Sequence, residues 1–186
     1  MLHAALTLLA SQLNQQLLRT MQLQEEVAVV ANLAEADGSV CTTVNNKLAL
    51  TLTSIAKDTT PANKLPPGMT QHSAPPLHLN LFVMLSAHFS GSNYPEALKL
   101  LSAAIQFFQQ KPVFTHQNTP DLDPRIDKLV LDIENLSVQD QASLWGSIGN
   151  KYQPSVLYKI RMVTFDGQAP NRSTPRITAP GGNFLG

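Results

Sequence analysis

The sequence predicts an α+β fold: a mixed or antiparallel sheet of about five or six strands with about three helices packed on it. Two observations carry this. Leu77, Leu79, Leu81, Val83, Leu85, Ala87 and Phe89 alternate along one stretch and so share one face of a strand. The opposite face of that stretch holds Phe82 and Met84 between polar residues, which marks a central strand covered on both sides. Elsewhere apolar residues recur at helical spacing, in the first two dozen residues, after Asn93 and after Ser137.

The elements follow in order. Leu2, Leu6, Leu9, Leu13 and Leu17 form the stripe of a first helix running to about Gln22, with Thr7, Ser11, Asn14 and Arg19 outside it. The run from Leu2 to Ala10 lacks the basic start of a signal peptide, so it reads as an amphipathic helix. Val27–Ala31 is a short strand closed by Asp37-Gly38, and Lys47–Lys57 is a second strand whose alternation slips at Ser54-Ile55, the mark of a bulge. Residues 58–76 form a Pro-rich loop, of a length associated with function or disorder.

After the central strand, Ser90-Gly-Ser-Asn93 is a turn. Asn93 is placed to cap the next helix, with Glu96 at the capping-box offset and Pro95 in the first turn. Leu98, Leu101, Ile105 and Phe108 are its expected inner stripe, and Lys111-Pro112 stops it. Val113–Thr115 reads as a short strand. In the next, Leu129, Leu131 and Ile133 alternate with a wet face of Lys128, Val130, Asp132 and Glu134. Ser137 and Asp140 form a capping box for a last helix, with Leu144, Trp145 and Ile148 inward and Gly149 at its end. Val156, Tyr158, Ile160 and Met162 line one face of a final strand that ends near Phe165.

Composition narrows the function. The chain of 186 residues suits one domain, residues 1–165, followed by a flexible tail, residues 166–186, rich in Pro and Gly. Lys plus Arg and Asp plus Glu number 13 each, so no global field would gather nucleic acid or an anionic membrane. Charged residues are 14% of the chain, and low charge with little self-repulsion fits a protein that works assembled. Cys41 is the single cysteine, so the chain contains neither a disulfide framework nor a multi-cysteine metal site. No apolar run is long enough to span a bilayer.

No catalytic constellation emerges, and neither a cofactor nor a metal is expected. His78 and His88 share a strand face but stand roughly 33 Å apart, too far to ligate one metal within a subunit. Asp121, Asp123 and Asp127 look like the start of a calcium loop. Ile126 and Asp132 occupy the positions that need Gly and Glu, and Pro124 intrudes, so the acids read as turn formers. Asp132 and Glu134 are explained by a solvated face, and Cys41 by an inert thiol. G-x-S-x-G, H-E-x-x-H and a Gly-rich phosphate loop are all absent. An enzyme is therefore not expected.

The wording of the central block carries a resemblance. Leu77-His-Leu-Asn-Leu-Phe-Val-Met-Leu85 and Tyr94-Pro-Glu-Ala-Leu-Lys-Leu-Leu-Ser-Ala-Ala-Ile-Gln-Phe-Phe108 resemble the cap, or tail-terminator, proteins of extracellular contractile injection systems. These phage-tail-like particles are typified by the Photorhabdus virulence cassette and the antifeeding prophage. The leading helix, Leu129–Leu136, Leu144-Trp145 and Pro154–Val163 extend the resemblance over about residues 2 to 165. It implies a tail-terminator-like fold and a structural role. A homo-hexameric ring would close the distal end of inner tube and sheath and end tube elongation. Its implied partners are further copies of itself, the inner tube protein, the sheath protein and a cap paralogue. Assembly in the cytoplasm, within a particle that can be released, is implied as well. Family members often carry a further C-terminal domain where this chain has a short tail.

Within that tail Arg172, Arg176, Ile177, Phe184 and Leu185 are the candidate partner-binding anchors, and the segment around Thr174–Thr178 is expected to add a strand or clamp to a neighbour. The alternative function is a monomeric adaptor that binds a partner peptide at a sheet edge.

Overall fold

The structure is a computed structural model that describes residues 1–35, 38–39, 41–58, 77–149 and 151–164. The Pro-rich loop beyond Asp58 and the tail lie outside the described residues. Helices α1 (Leu2–Met21), α2 (Tyr94–Gln110) and α3 (Val138–Ile148) accompany strands β1 (Ala28–Val30), β2 (Lys47–Lys57), β3 (Leu77–His88), β4 (Val113–Thr115), β5 (Ile126–Ile133) and β6 (Ser155–Thr164). The strands form one six-stranded sheet in the order β1-β2-β3-β6-β5-β4. β1 runs parallel to β2 and every other pairing is antiparallel, so the sheet is mixed and the α+β expectation holds.

β3 is central, as its two apolar faces require. Leu81, Val83, Leu85 and Ala87 face α1 and α2, joined by Tyr158, Ile160 and Met162 from β6. Leu6, Leu9, Leu13 and Leu17 bury the expected stripe of α1 against them. On this side Phe114 is fully buried, with Phe107 and Phe108 edge-on at 6.5 Å each. Lys111 lies over the Phe114 ring, its Nζ donating to Gln12 Oε1 at 2.9 Å, which ties α1 to the end of α2. The β2 bulge falls between Leu52 and Ser54, one residue before the expected slip.

Three local expectations need correction. Asn14, placed on the outer face of α1, is buried: its Oδ1 accepts from the N–H groups of Val27 and Ala28, and its Nδ2 donates to Ala28 O. A polar residue on the inner stripe is tolerated because the backbone entering β1 fills both acceptor sites and one of the two donors of its amide. Asn93 makes no side-chain cap bond to α2. It sits in a 3₁₀ turn, Gly91–Asn93, with φ −87° and ψ 8°, outside the extended conformation that capping requires, and Glu96 pairs with Lys99 instead. Leu98 is exposed, and α2 buries Ala97, Leu100, Leu101, Ala104, Phe107 and Phe108. The two adjacent aromatics set that rotation by packing on Phe114 and Tyr158.

Candidate assembly surface

Chemistry can be weighed first. Ser86 Oγ and His88 Nε2 are 2.9 Å apart, the spacing of a nucleophile and its base. Ser86 is wholly buried and His88 nearly so, and burial pushes the His88 pKa down. The pair is a packing bond beneath Trp145, whose ring lies 6.4 Å from the imidazole. Asp123 is bound by Arg125 through two side-chain bonds and a backbone N–H, which holds its carboxyl well below the usual range. That engagement is the turn role expected of it. Among the described residues no group of His, Cys, Asp and Glu is arranged to hold a metal ion. Among them, too, no helix is long and apolar enough to cross a membrane.

What remains is surface, and the sheet face opposite α1 and α2 carries most of it. α3 is the helix that covers it. Ser137 accepts from Asp140 N at 3.1 Å while its hydroxyl donates to Asp140 Oδ2 at 2.6 Å, so the expected cap forms. Gly149, with φ 75°, ends the helix in the left-handed conformation. Trp145 is its one buried residue, seated with Leu33, Val44, Ala49, Met84 and Leu157, and its Nε1–H donates to Ser155 Oγ at 3.3 Å. Leu144 and Ile148, partly buried, pack against the same cluster, as expected. Beside it a cleft of about 430 Å³ runs along Thr53, Phe82, Leu136, Leu144 and Leu157, with Glu134 and Asp140 at its rim. Val138, at the start of the helix, is 85% exposed, and Leu136 is exposed beside it.

The other half of this face has no helix over it among the described residues. Register places Lys128, Val130 and Asp132 of β5 opposite Val163, Arg161 and Lys159 of β6. His78 and Asn80 of β3 lie opposite Val163 and Arg161. Two polar atoms here, His78 Nε2 and Asn80 Oδ1, are buried without a hydrogen-bond partner. Ion pairs among the described residues join Glu96 to Lys99 and Asp123 to Arg125, so neither involves Lys128, Lys159 or Arg161. The sheet also has a free edge: β1 pairs with Leu48–Leu50 alone, which leaves the outer side of β2 from Leu52 to Lys57 without a strand among the described residues.

Arg172, Arg176, Ile177, Phe184 and Leu185, the anchors expected from sequence, lie outside the described residues. Lys128 was expected on the wet face of β5. That Lys159 and Arg161 of β6 share this face required the pairing of β5 with β6.

The family model for the Pvc16 N-terminal domain matches residues 4–179. Among solved structures, the chain is similar to the sheath/tube terminator of an extracellular contractile injection system, PVC, in its extended state. That similarity has a TM-score of 0.60 at 14% identity, covering 100% of this chain and 64% of the terminator. The chain thus spans less than two thirds of that protein's length, and at this identity the likeness speaks for the fold. No curated protein matches at a comparable level of significance. With a family model spanning nearly its whole length, the chain belongs to the Pvc16 N-terminal domain family.

Proposed function

We propose that this protein is a structural terminator of a contractile injection particle: it closes the distal end of inner tube and sheath as a ring of identical subunits and ends tube elongation. The observation that carries the reading is the family membership over residues 4–179, together with a fold shared along the whole chain with a sheath/tube terminator. The physical character of the molecule supports it. A helix end with exposed Leu136 and Val138, and a strand edge and half a sheet face left uncovered by the described residues, are surfaces for neighbours, and rings are built from head-to-tail contacts that close by rotation. Tube protein, sheath protein and further copies of the chain are the partners in this reading. The role is architectural rather than catalytic, and the workplace is a particle released from the cell. The tail, through Arg172, Arg176, Ile177, Phe184 and Leu185, is the proposed clamp on a neighbour.

Deleting the gene and imaging the particles tests the role. Uncapped tubes of uncontrolled length are expected, and normally capped particles would overturn it. Truncation after Phe165 tests the clamp, and unchanged ring formation and tube length would remove the tail from the account. The free edge of β2 favours a second reading, a monomeric adaptor that takes a partner strand. Native mass separates the two, since a ring excludes the monomer.

A further inference from the structure

We propose that the cleft beside α3 is the seat of a segment of this same chain, the part of the tail from Arg172 to Ile177, in the free subunit. The terminator reading makes these residues a clamp on a neighbour; the seat concerns the chain alone and stands without that reading. The family match runs to residue 179, beyond the end of β6 at Thr164, so Arg172, Arg176 and Ile177 belong to the domain, whereas Phe184 and Leu185 follow it. The cleft is lined by Phe82, Leu144 and Leu157, with Glu134 and Asp140 at its rim. Neither acid is in an ion pair among the described residues, and the α3 cap uses only Oδ2 of the Asp140 carboxylate. Two arginines followed by an isoleucine are the complement of an apolar cleft with an acidic rim.

Reach and charge order agree with this seat. Glu134 N–H bonds to Leu157 O, so the acidic rim lies beside Leu157, which precedes Thr164 by seven residues along β6. At about 3.3 Å per residue, that is roughly 23 Å back along the sheet from the point where the tail leaves. Asp166-Gly167 is a turn dipeptide just past that point. A chain that reverses there and returns over the face at the same rise per residue brings residues 172–177 level with Leu157. The charges then fall in matching order. Asp166 starts beside the half that carries Lys128 and Arg161, and the two arginines arrive at the half that carries Glu134 and Asp140. Pro175, between the arginines, has no N–H to give a strand ladder, so the segment suits a cleft read by side chains better than the edge of β2. A segment on so short a tether meets its own cleft at an effective concentration of about millimolar, which favours its own copy over any other in dilute solution.

Cross-linking in the full chain tests the seat. In a Cys41→Ser background, one variant pairs Ser173→Cys in the tail with Ser143→Cys on the cleft side of α3. A control pairs Ser173→Cys with Ser102→Cys, exposed on α2 across the sheet. Under a mild oxidant and in dilute solution, the first pair is expected to close a disulfide within one chain at least tenfold faster than the control. Arg172→Glu with Arg176→Glu should slow that closure at least fivefold, and high salt should act in the same direction. Denaturing gels without reductant separate a linked monomer from a linked dimer. Thermal transitions near wild type confirm that the variants fold.

Equal rates at the two sites would overturn the cleft as the seat. A linked dimer as the main product would overturn the own-chain seat and assign the segment to a neighbour. Closure that ignores the arginine reversals would overturn the charge pairing that singles out this segment. Normally capped particles after gene deletion would overturn the terminator role and leave the seat standing, so the two readings fail separately.

Discussion

The two faces of the sheet differ in how they are finished. On the α1 and α2 side, two long helices bury aliphatic and aromatic side chains in one continuous cluster that reaches from Leu6 to Met162. On the other side the described residues supply one helix, of 11 residues, held by Trp145 with Leu144 and Ile148 over a small cluster, and half of the face carries charged side chains instead. The first face holds the fold together. The second adds a smaller cluster around Trp145. Substitutions on the two sides should therefore differ in kind.

The largest effect belongs to the first face. Phe114→Ala removes a fully buried ring from the contacts of Phe107 and Phe108, and should cost about 3–5 kcal/mol in global stability, read by urea denaturation. Asn14→Ala comes next at about 3 kcal/mol, because the N–H groups of Val27 and Ala28 and the carbonyl of Ala28 lose their buried partner. A loss near zero would mean that water replaces the amide.

Trp145→Ala sharpens the comparison, since the side chain is larger than that of Phe114 and also buried. It should cost only about 2 kcal/mol globally, as the weakly held α3 can relax or detach. Amide exchange should rise through residues 138–148 and stay unchanged in β3. Uniform exchange across the sheet would instead make the second face part of one cooperative core.

The smallest effect is the pH response. Burial lowers the His88 pKa from its ordinary 6.5, so the unfolded chain takes up the proton before the folded one does. This group's contribution to stability is therefore complete above about pH 6.5 and is lost as pH falls below it. Its cross-strand neighbour Lys47 supplies no counter-charge. Denaturation midpoints measured from pH 7.5 down to 5 should fall, and His88→Gln should flatten the slope. An equal slope in that variant would assign the response to other groups.

Much of the architecture was legible along the chain. β2 and β4 have their expected bounds, β3 has two apolar faces, and Ser137, Asp140 and Gly149 delimit α3 as their chemistry dictates. Each is a local matter: pleat period, turn chemistry or the orphan groups at a helix end. The resemblance in Leu77–Leu85 and Tyr94–Phe108 led to the right family. Asn14 was misplaced because its partners, Val27 and Ala28, come from another element and are invisible in a helical wheel. Leu98 was misplaced because the rotation of α2 follows Phe107 and Phe108, whose neighbours Phe114 and Tyr158 come later in the chain.

The candidate surface divides in the same way. The sequence by itself determined which residues are charged, which alternate, and where helices and strands begin, because those properties depend on neighbours a few residues apart. Only the tertiary structure decided that β6 lies between β3 and β5. That placement sets Lys159 opposite Asp132 and Arg161 opposite Val130, and leaves α3 as the helix on that face among the described residues. Strand order is a non-local choice, fixed by which apolar rows bury one another best, and no local period encodes it.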